Sequence, residues 1–217
     1  MKKRKPKRGV AKITTKNHSI VNKQQPTGIE LEKPPGLSYI ADLLTPNQQK
    51  RLIMQIENRP QHWQSPLYLP ANHQIKCHGW REKPTYDLSI LSKHQDYLGV
   101  IPLYLQSVTD LISPWMIKVN QIIIHRHNPV SNLTCPIDKI EQTRLPGWHH
   151  DHSRNFSNTI AIIALSQLTI QFRRGNLVPI EIELDSGEAL VMKDDSRYRW
   201  QHRIIFNPHQ PQLFLTL

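Results

Sequence analysis

Two histidines and one aspartate in this sequence have the residue types and the spacing of metal ligands. His149 and Asp151 lie two residues apart, and in an extended strand two such residues point to the same face. His202 follows Asp151 by 51 residues (202 − 151) and offers a second imidazole. Two imidazoles and one carboxylate make the facial triad that holds non-heme Fe(II) and leaves coordination positions open. The sequence therefore predicts a metal site at His149, Asp151 and His202.

The residues beside these ligands are expected to play other parts. His150 and His152 point to the opposite face of the strand by the same alternation. We therefore expect them to be exposed or to lie around the site, not to bind the metal. Arg197 and Trp200, shortly before His202, are expected to pack and to hydrogen bond within their own segment.

Two helices are predicted before the metal-binding residues. Thr45 can cap a helix that has Pro46 at its first position and Gln48 in a capping box, and this helix is expected to run to about Asn58. Apolar residues at helical spacing predict a second helix at 102–112.

Short strands fill the rest of the chain. Strands are predicted at 116–127, 159–165, 168–172, 178–184, 189–193, 202–206 and 213–217. Many short strands separated by turns favour a jelly roll or a barrel. The expected fold class is therefore α+β and mainly β, with flanking N-terminal helices.

The surroundings of the predicted ligands resemble those of a known family. Trp148 precedes the first ligand, strand-like segments follow it, and residues 190–192 (Leu-Val-Met) and 197–202 (Arg-Tyr-Arg-Trp-Gln-His) lead to the last ligand. With these features the chain resembles the AlkB-like Fe(II)/2-oxoglutarate-dependent dioxygenases from about Pro34 to its end. The resemblance implies a double-stranded β-helix (jelly roll) around Fe(II), with 2-oxoglutarate as cosubstrate. It also implies oxidative demethylation or hydroxylation, most often of alkylated nucleic acid.

Aromatic residues between Pro60 and Tyr97 stand where the resemblance implies a nucleotide-recognition lid. Trp80 and Tyr86 lie there among histidines and lysines, and aromatic side chains with interleaved cations can stack a base and hold its phosphates. Trp80 and Tyr86 are therefore candidate substrate-binding residues. The alternative, which is the better one for any single aromatic residue, is that they pack a loop onto the barrel.

The chain departs from the family at the positions that would bind 2-oxoglutarate. His125 and His127 stand where the family has an asparagine and a tyrosine. The family's final strand reads Arg-x-Asn-x-Thr-x-Arg, whereas here it has Gln212, Phe214 and Thr216, and the sequence ends before the second arginine position. Neutral glutamine cannot replace the charged fork of arginine. The candidate cosubstrate contacts are His125, His127, Gln212 and Thr216, and weak binding of 2-oxoglutarate is expected.

Three functions remain open at this point. The first is an active oxygenase on nucleic acid or protein, whose cosubstrate is held by another cation such as Arg173, Arg203 or His125. The second is a non-catalytic relative that keeps the fold and the metal triad and acts as a nucleic-acid-binding module. The third is hydrolytic chemistry at a zinc ion held by His125, His127, His149 and His202.

Positive charge is concentrated at the N-terminus. The net charge is +11, and residues 1–29 contain nine Lys or Arg and no Asp or Glu, which leaves +2 (11 − 9) for the rest. Such a segment has too few apolar residues to order itself. We therefore expect a disordered tail and linker at 1–33 and the dioxygenase domain at 34–217. The tail could anchor the protein on nucleic-acid phosphates or could serve only to keep it soluble.

Neither a membrane segment nor a disulfide is expected. The sequence has no run of 18 or more apolar residues and no apolar segment of a signal peptide near its N-terminus. Cys77 and Cys135 lack the spacing of a metal or redox motif, so free thiols are expected. Together these features predict a cytoplasmic protein.

Overall fold

The structure, a computed structural model, describes the greater part of the chain. The described residues are 11–13, 20–21, 33–59, 63–65, 72–82, 95–97, 99–129, 144–151, 158–207 and 209–217. For 11–13, 20–21, 80–82, 95–97 and 144–146 only the backbone is described.

Three helices and thirteen strands lie in these residues. The helices are α1 (Pro46–Glu57), α2 (Leu103–Ile112) and α3 (Asp194–Tyr198). The strands are β1 (Ala11–Ile13), β2 (Ile20–Val21), β3 (Leu37–Ile40), β4 (His73–Glu82), β5 (Gln95–Tyr97), β6 (Gln121–His127), β7 (Arg144–His149), β8 (Ile160–Ala164), β9 (Leu168–Arg173), β10 (Ile180–Leu184), β11 (Ala189–Met192), β12 (Gln201–Ile205) and β13 (Gln212–Thr216).

The strands form two sheets that pack face to face. The six-stranded sheet has the order β2-β1-β10-β9-β12-β7, and the seven-stranded sheet has the order β3-β11-β8-β13-β6-β4-β5. Neighbouring strands are antiparallel except for β1 and β10, which are parallel. Two mainly antiparallel sheets with flanking helices confirm the predicted jelly roll.

Alternation along the strands creates the core between the sheets. In β10, Ile180, Ile182 and Leu184 are buried while the glutamates between them are partly exposed. Phe172 of the six-stranded sheet and Phe214 of the seven-stranded sheet belong to one buried cluster. If the fold encloses a metal, the side chains that bind it must therefore point into this interior between the sheets.

Helices α1 and α2 cover the outer face of the seven-stranded sheet. α1 begins as predicted, because Gln48 N donates to Thr45 Oγ1 at 3.3 Å and the Gln48 side chain accepts from Thr45 N. Ile56 of α1 and Val108 of α2 are fully buried in a second apolar cluster. At the end of α1, the buried Lys76 donates from Nζ to the Ile56 carbonyl oxygen at 2.7 Å. The outer face of the seven-stranded sheet is thus covered by helices and serves to stabilise the fold.

The structure differs from the sequence-based expectation in several places, and the strands β3, β4 and β5 were not predicted. The strands β1 and β2 lie within 1–33, so five residues of the segment expected to be disordered have regular structure. The strand predicted from residue 116 begins only at Gln121. Helix α3 was not predicted, because five residues are too few to show a helical period.

No helix among the described residues is long and apolar enough to cross a membrane.

Candidate metal centre

Two neighbouring strands bring the predicted ligands together. β7 and β12 pair antiparallel, with His149 directly opposite His202. Opposite residues of paired strands lie on the same face of a sheet. His202 is buried on the interior face, where its ring lies 6.0 Å from that of Phe172 between centroids. The two imidazole rings are 4.4 Å apart, and Asp151 follows just after the end of β7.

The three side chains have the geometry of a metal site. Asp151 Oδ1 lies 3.5 Å from His149 Nε2, and Asp151 Oδ2 lies 3.3 Å from His202 Nε2. One donor atom from each residue lies within 4.8 Å of the other two, and no other group of three or more His, Cys, Asp or Glu side chains in the described parts of the chain does so. Two nitrogens and one oxygen suit Fe(II), so the residues present fit the metal that the sequence predicts.

A backbone contact fixes the orientation of His149. Its Nδ1 lies 2.8 Å from the Gly147 carbonyl oxygen. A carbonyl oxygen can only accept, so Nδ1 carries a proton, and Nε2 is the ring nitrogen that faces Asp151 and can bind a metal once it has lost its own proton. Such a second contact is the usual means by which proteins hold a ligating imidazole in place.

The local charges keep Asp151 ionised. Burial by itself would raise the pKa of Asp151, but the charge of His202 and hydrogen bonds from both imidazoles lower it far below its ordinary value. For His149, burial opposes protonation, yet the hydrogen bond and charge of Asp151 outweigh it and raise the pKa of that imidazole. The carboxylate is therefore ready to bind a cation, and a divalent metal could take the place of the proton that His149 attracts.

Arg197 supports the aspartate from helix α3. Its Nη1 donates to the Asp151 carbonyl oxygen at 2.6 Å, and the residue is only 2% exposed. The sequence predicted packing and hydrogen bonding for Arg197, but it did not indicate that the partner would be a metal ligand. The proximity of the two residues appears only when α3 folds back over the end of β7.

Substitution of Arg197 should weaken metal binding without abolishing it. We expect Arg197→Gln to lower Fe(II) affinity about 10- to 100-fold, as loss of an outer-shell partner does. Arg197→Lys keeps the charge and one donor, so it should recover part of the loss. Metal competition titration measures both. The matched control is Arg199→Gln, because Arg199 is exposed and contacts only Asp195 among the described residues. An equal loss in Arg199→Gln would contradict the assignment.

The remaining residues of the motif face elsewhere. His150 is exposed and is not part of the metal-binding group, while His152 lies outside the described residues. Trp148 lies against two guanidinium groups, with its ring centre 4.6 Å from Arg173 Cζ and 4.2 Å from Arg203 Cζ.

Arg173 and Arg203 do not reach the interior. Arg203 follows the inward-facing His202 in β12, so alternation places it on the outer face, where it donates to Gln171 Oε1 at 2.9 and 2.7 Å. Arg173 donates to Gln201 Oε1 at 2.8 Å on the same face. The suggestion that either arginine holds the cosubstrate is therefore wrong.

Three candidate cosubstrate residues do face the interior. His125 stacks on Phe214 with 4.4 Å between ring centres and 2° between ring planes. Its Nε2 lies 3.3 Å from Thr216 Oγ1. His127 stacks on Phe206 at 4.2 Å. Neither histidine belongs to the metal-binding group, so the structure does not bring together the four histidines of the zinc hypothesis.

Gln212 is engaged by the backbone. Its Oε1 accepts from Asn207 N at 2.9 Å, and its Nε2 donates to the Gln167 carbonyl oxygen at 2.8 Å. The side chain that replaces the family's first arginine therefore ties the turn before β13 to the turn after β8. Contact between Gln212 and the cosubstrate therefore stays a prediction, and the two hydrogen bonds of Gln212 to the backbone disfavour it.

The candidate substrate-binding residues remain predictions. Trp80 lies in β4 opposite Tyr97 of β5, but its side chain is outside the described part of the structure. Tyr86 lies wholly outside the described residues. The described backbone thus gives a short hairpin at the start of the expected lid.

Comparison with known proteins gives a family and several relatives. The model of the 2OG-Fe(II) oxygenase superfamily matches residues 36–212. The uncharacterized protein L905 of Acanthamoeba polyphaga mimivirus is 26% identical over 177 residues, which are 78% of this chain and 72% of that protein. The tRNA (carboxymethyluridine(34)-5-O)-methyltransferase alkbh8 of Xenopus tropicalis is 25% identical over 175 residues, and the chain spans only 25% of its length.

A solved structure shares the fold. An oxidoreductase of the 2OG-Fe(II) oxygenase family from Burkholderia pseudomallei aligns with a TM-score of 0.51 at 8% identity, over 83% of each chain. At this identity the likeness concerns the fold alone.

Proposed function

The chain belongs to the 2OG-Fe(II) oxygenase superfamily and is AlkB-like, and from this premise we propose that it oxidises alkylated nucleic acid by demethylation or hydroxylation. The observation that carries the proposal is the group of His149, Asp151 and His202 on the interior face of the jelly roll. Fe(II) with 2-oxoglutarate and O₂ supplies the oxidation of a C–H bond, and an N-methyl group oxidised in this way leaves as formaldehyde.

The protein's own residues prepare the site for this chemistry. His149 and His202 offer nitrogen lone pairs, and the ionised Asp151 offers negative charge for a divalent cation. Arg197 and the Gly147 carbonyl oxygen hold two of these three ligands from behind. The apolar interior around Phe172 borders the centre on the side of His202, which strengthens the electrostatic contacts there.

Two observations support nucleic acid as the substrate. The first is the run of nine Lys or Arg in residues 1–29, which can neutralise phosphates and release counterions. The second is the name of the Xenopus relative, which describes that protein as a tRNA methyltransferase. The chain spans about a quarter of that relative, so its substrate is offered here only as a guide to the class.

The experiment for this proposal is formaldehyde release from methylated oligonucleotides. The protein is loaded with Fe(II) and 2-oxoglutarate and is given single-stranded RNA or DNA that carries N-methylated bases. Formaldehyde from one class and none from His202→Ala would support the proposal. If succinate forms but no nucleic acid gives formaldehyde, the protein is an oxygenase that acts on another class of substrate.

A specific observation favours a second function, a non-catalytic nucleic-acid-binding relative. The first arginine position of the final strand holds Gln212, whose side chain is bonded to the backbone. In this case metal binding and nucleic-acid binding would persist without any binding of 2-oxoglutarate.

Deletion of residues 1–25 should flatten the salt dependence of nucleic-acid binding. If half of the nine cations contact phosphates, the slope of log affinity against log salt should fall by roughly 3 to 4 units, because each neutralised phosphate contributes about 0.7 to 0.9. Fluorescence anisotropy at several salt concentrations measures the slope. An unchanged slope would mean that the tail does not contact phosphates and serves only solubility.

A further inference from the structure

Three histidines lie side by side inside the jelly roll, and two of them, His73 and His127, are buried. His73, His127 and Gln212 are direct partners across β4, β6 and β13, and His125 lies in the next row opposite Phe214. Opposite residues share a face, so His73 and His127 both face the interior, where the Phe206 ring lies 5.5 Å and 4.2 Å from theirs. His73 is not among the residues predicted from the sequence, because it lies 54 residues (127 − 73) from its partner.

The hydrogen bonds of His127 fix the position of its proton. Asn72 Nδ2 donates to the Asn128 carbonyl oxygen at 2.9 Å, which identifies this atom as the amide nitrogen. The same nitrogen lies 3.2 Å from His127 Nε2. An amide nitrogen can only donate, so Nε2 accepts and the proton of the neutral ring is on Nδ1. Nδ1 is buried and has no hydrogen-bond partner in the structure as described.

His73 offers a second unpartnered nitrogen of the same kind. Its Nε2 lies 3.2 Å from His125 Nδ1, so one of these two atoms donates to the other. When His125 donates, Thr216 can donate to His125 Nε2 at 3.3 Å, and the proton of His73 is on Nδ1. His73 Nδ1 is also buried without a partner among the described atoms. Two imidazole N–H groups on neighbouring strands are then left without an acceptor.

An unpaired buried donor is unfavourable and indicates an absent acceptor. Among the described residues, the two arginines suggested as partners of 2-oxoglutarate lie on the outer face, and Gln212, at the family's first arginine position, is engaged by backbone groups. The histidine cluster and the metal centre border the same buried interior, since His125 stacks on Phe214, His202 lies beside Phe172, and both phenylalanines belong to one buried cluster. A cosubstrate bound at the metal could therefore extend toward His73 and His127.

We propose that the Nδ1–H groups of His73 and His127 bind the distal carboxylate of 2-oxoglutarate, in place of the arginine fork of the family. This inference rests on the proposed function. A carboxylate has two oxygens that accept hydrogen bonds, which matches two N–H donors. Burial lowers the pKa of both imidazoles from 6.5 to about 4, so at neutral pH they act as uncharged donors. Uncharged donors hold a carboxylate less tightly than arginine does, in agreement with the weak binding that the sequence predicts.

The test compares 2-oxoglutarate with 2-oxopentanoate, which has a methyl group in place of the distal carboxylate. Affinities are measured by isothermal titration calorimetry on the full chain loaded with Zn(II), which binds the 2-oxoacid without turnover. We expect the unmodified protein to prefer 2-oxoglutarate by about tenfold or more, the effect of hydrogen bonds to a charged group. In His127→Phe and in His73→Phe this preference should fall below about threefold, while affinity for 2-oxopentanoate stays unchanged.

The control and a second variant guard against a general loss of structure. His78→Phe replaces another buried histidine of β4, which faces Tyr104 on the opposite side of the sheet, and it should keep the full preference. His127→Gln keeps an N–H donor, so it should retain more of the preference than His127→Phe, and it serves if the phenylalanine variant fails to fold.

Two outcomes would overturn the inference and can be told apart. Equal affinity of the unmodified protein for the two acids, or a full preference in both phenylalanine variants, excludes the two histidines as the carboxylate site but leaves the proposed function intact. Binding of neither acid by protein that holds a full equivalent of metal would refute the proposed function itself.

Discussion

Replacing Asp151 or His202 by alanine is expected to abolish Fe(II) binding at micromolar metal. Each substitution removes one of three ligand atoms that lie within 4.8 Å of one another. The loss of Fe(II) affinity should be much larger than the roughly 10- to 100-fold loss that follows removal of an outer-shell partner. It should therefore also be larger than the loss in Arg197→Gln. Equilibrium dialysis with metal analysis measures the bound iron, and His149→Ala should behave in the same way.

The matched control for this series is His150→Ala. His150 is exposed and neighbours two ligands in sequence, but it is not part of the metal-binding group. It should keep nearly full iron affinity. If His150→Ala lost the metal while His149→Ala kept it, the register of β7 against β12 would be shifted by one residue.

Gln212→Arg should destabilise the protein by about 3 kcal/mol and should not restore cosubstrate binding. The sequence alone suggests the opposite, since arginine stands at this position in the family. In the structure, Gln212 accepts from Asn207 N and donates to the Gln167 carbonyl oxygen. Arginine has no acceptor, so the Asn207 N–H would lose its partner, which costs on the order of 1–3 kcal/mol, and the burial of a charge would add to this loss. Urea unfolding measures the change in free energy.

Gln210→Arg is the control for the charge alone. Gln210 is exposed in the same turn, so arginine there should change the stability by less than about 0.5 kcal/mol. The contradicting result would be a Gln212→Arg protein that is as stable as the unmodified chain and binds 2-oxoglutarate more tightly. It would mean that the backbone contacts of Gln212 are dispensable and that an arginine at this position can bind the cosubstrate.

Much of the fold and the choice of ligands followed from local rules. His149 and Asp151 were identified because alternation in a strand is strict, and α1 because Thr45, Pro46 and Gln48 satisfy the first turn of a helix from within four residues. The strands at 168–172 and 178–184 were predicted because apolar and polar residues alternate along each of them. In all of these the deciding contacts lie between residues close in sequence.

The support of the site depends on contacts between distant residues, which the sequence does not show. Arg197 reaches the Asp151 carbonyl oxygen only because α3 turns the chain back. His73 meets His127 only through the pairing of β4 with β6. Arg203 was expected to reach the cosubstrate, but it lies on the face of β12 opposite to that of His202. The face of His202 is fixed by the pairing of β12 with β7.

The most direct test of the central claim is the absorption band that arises when 2-oxoglutarate binds to Fe(II) in the protein. The chain is loaded with Fe(II) under anaerobic conditions, bound iron is quantified, and 2-oxoglutarate is titrated to millimolar concentration. We predict a saturable metal-to-ligand charge-transfer band in the unmodified protein and none in Asp151→Ala. Protein that holds one equivalent of iron but shows no band at any concentration of 2-oxoglutarate would contradict the oxygenase function and favour the non-catalytic relative.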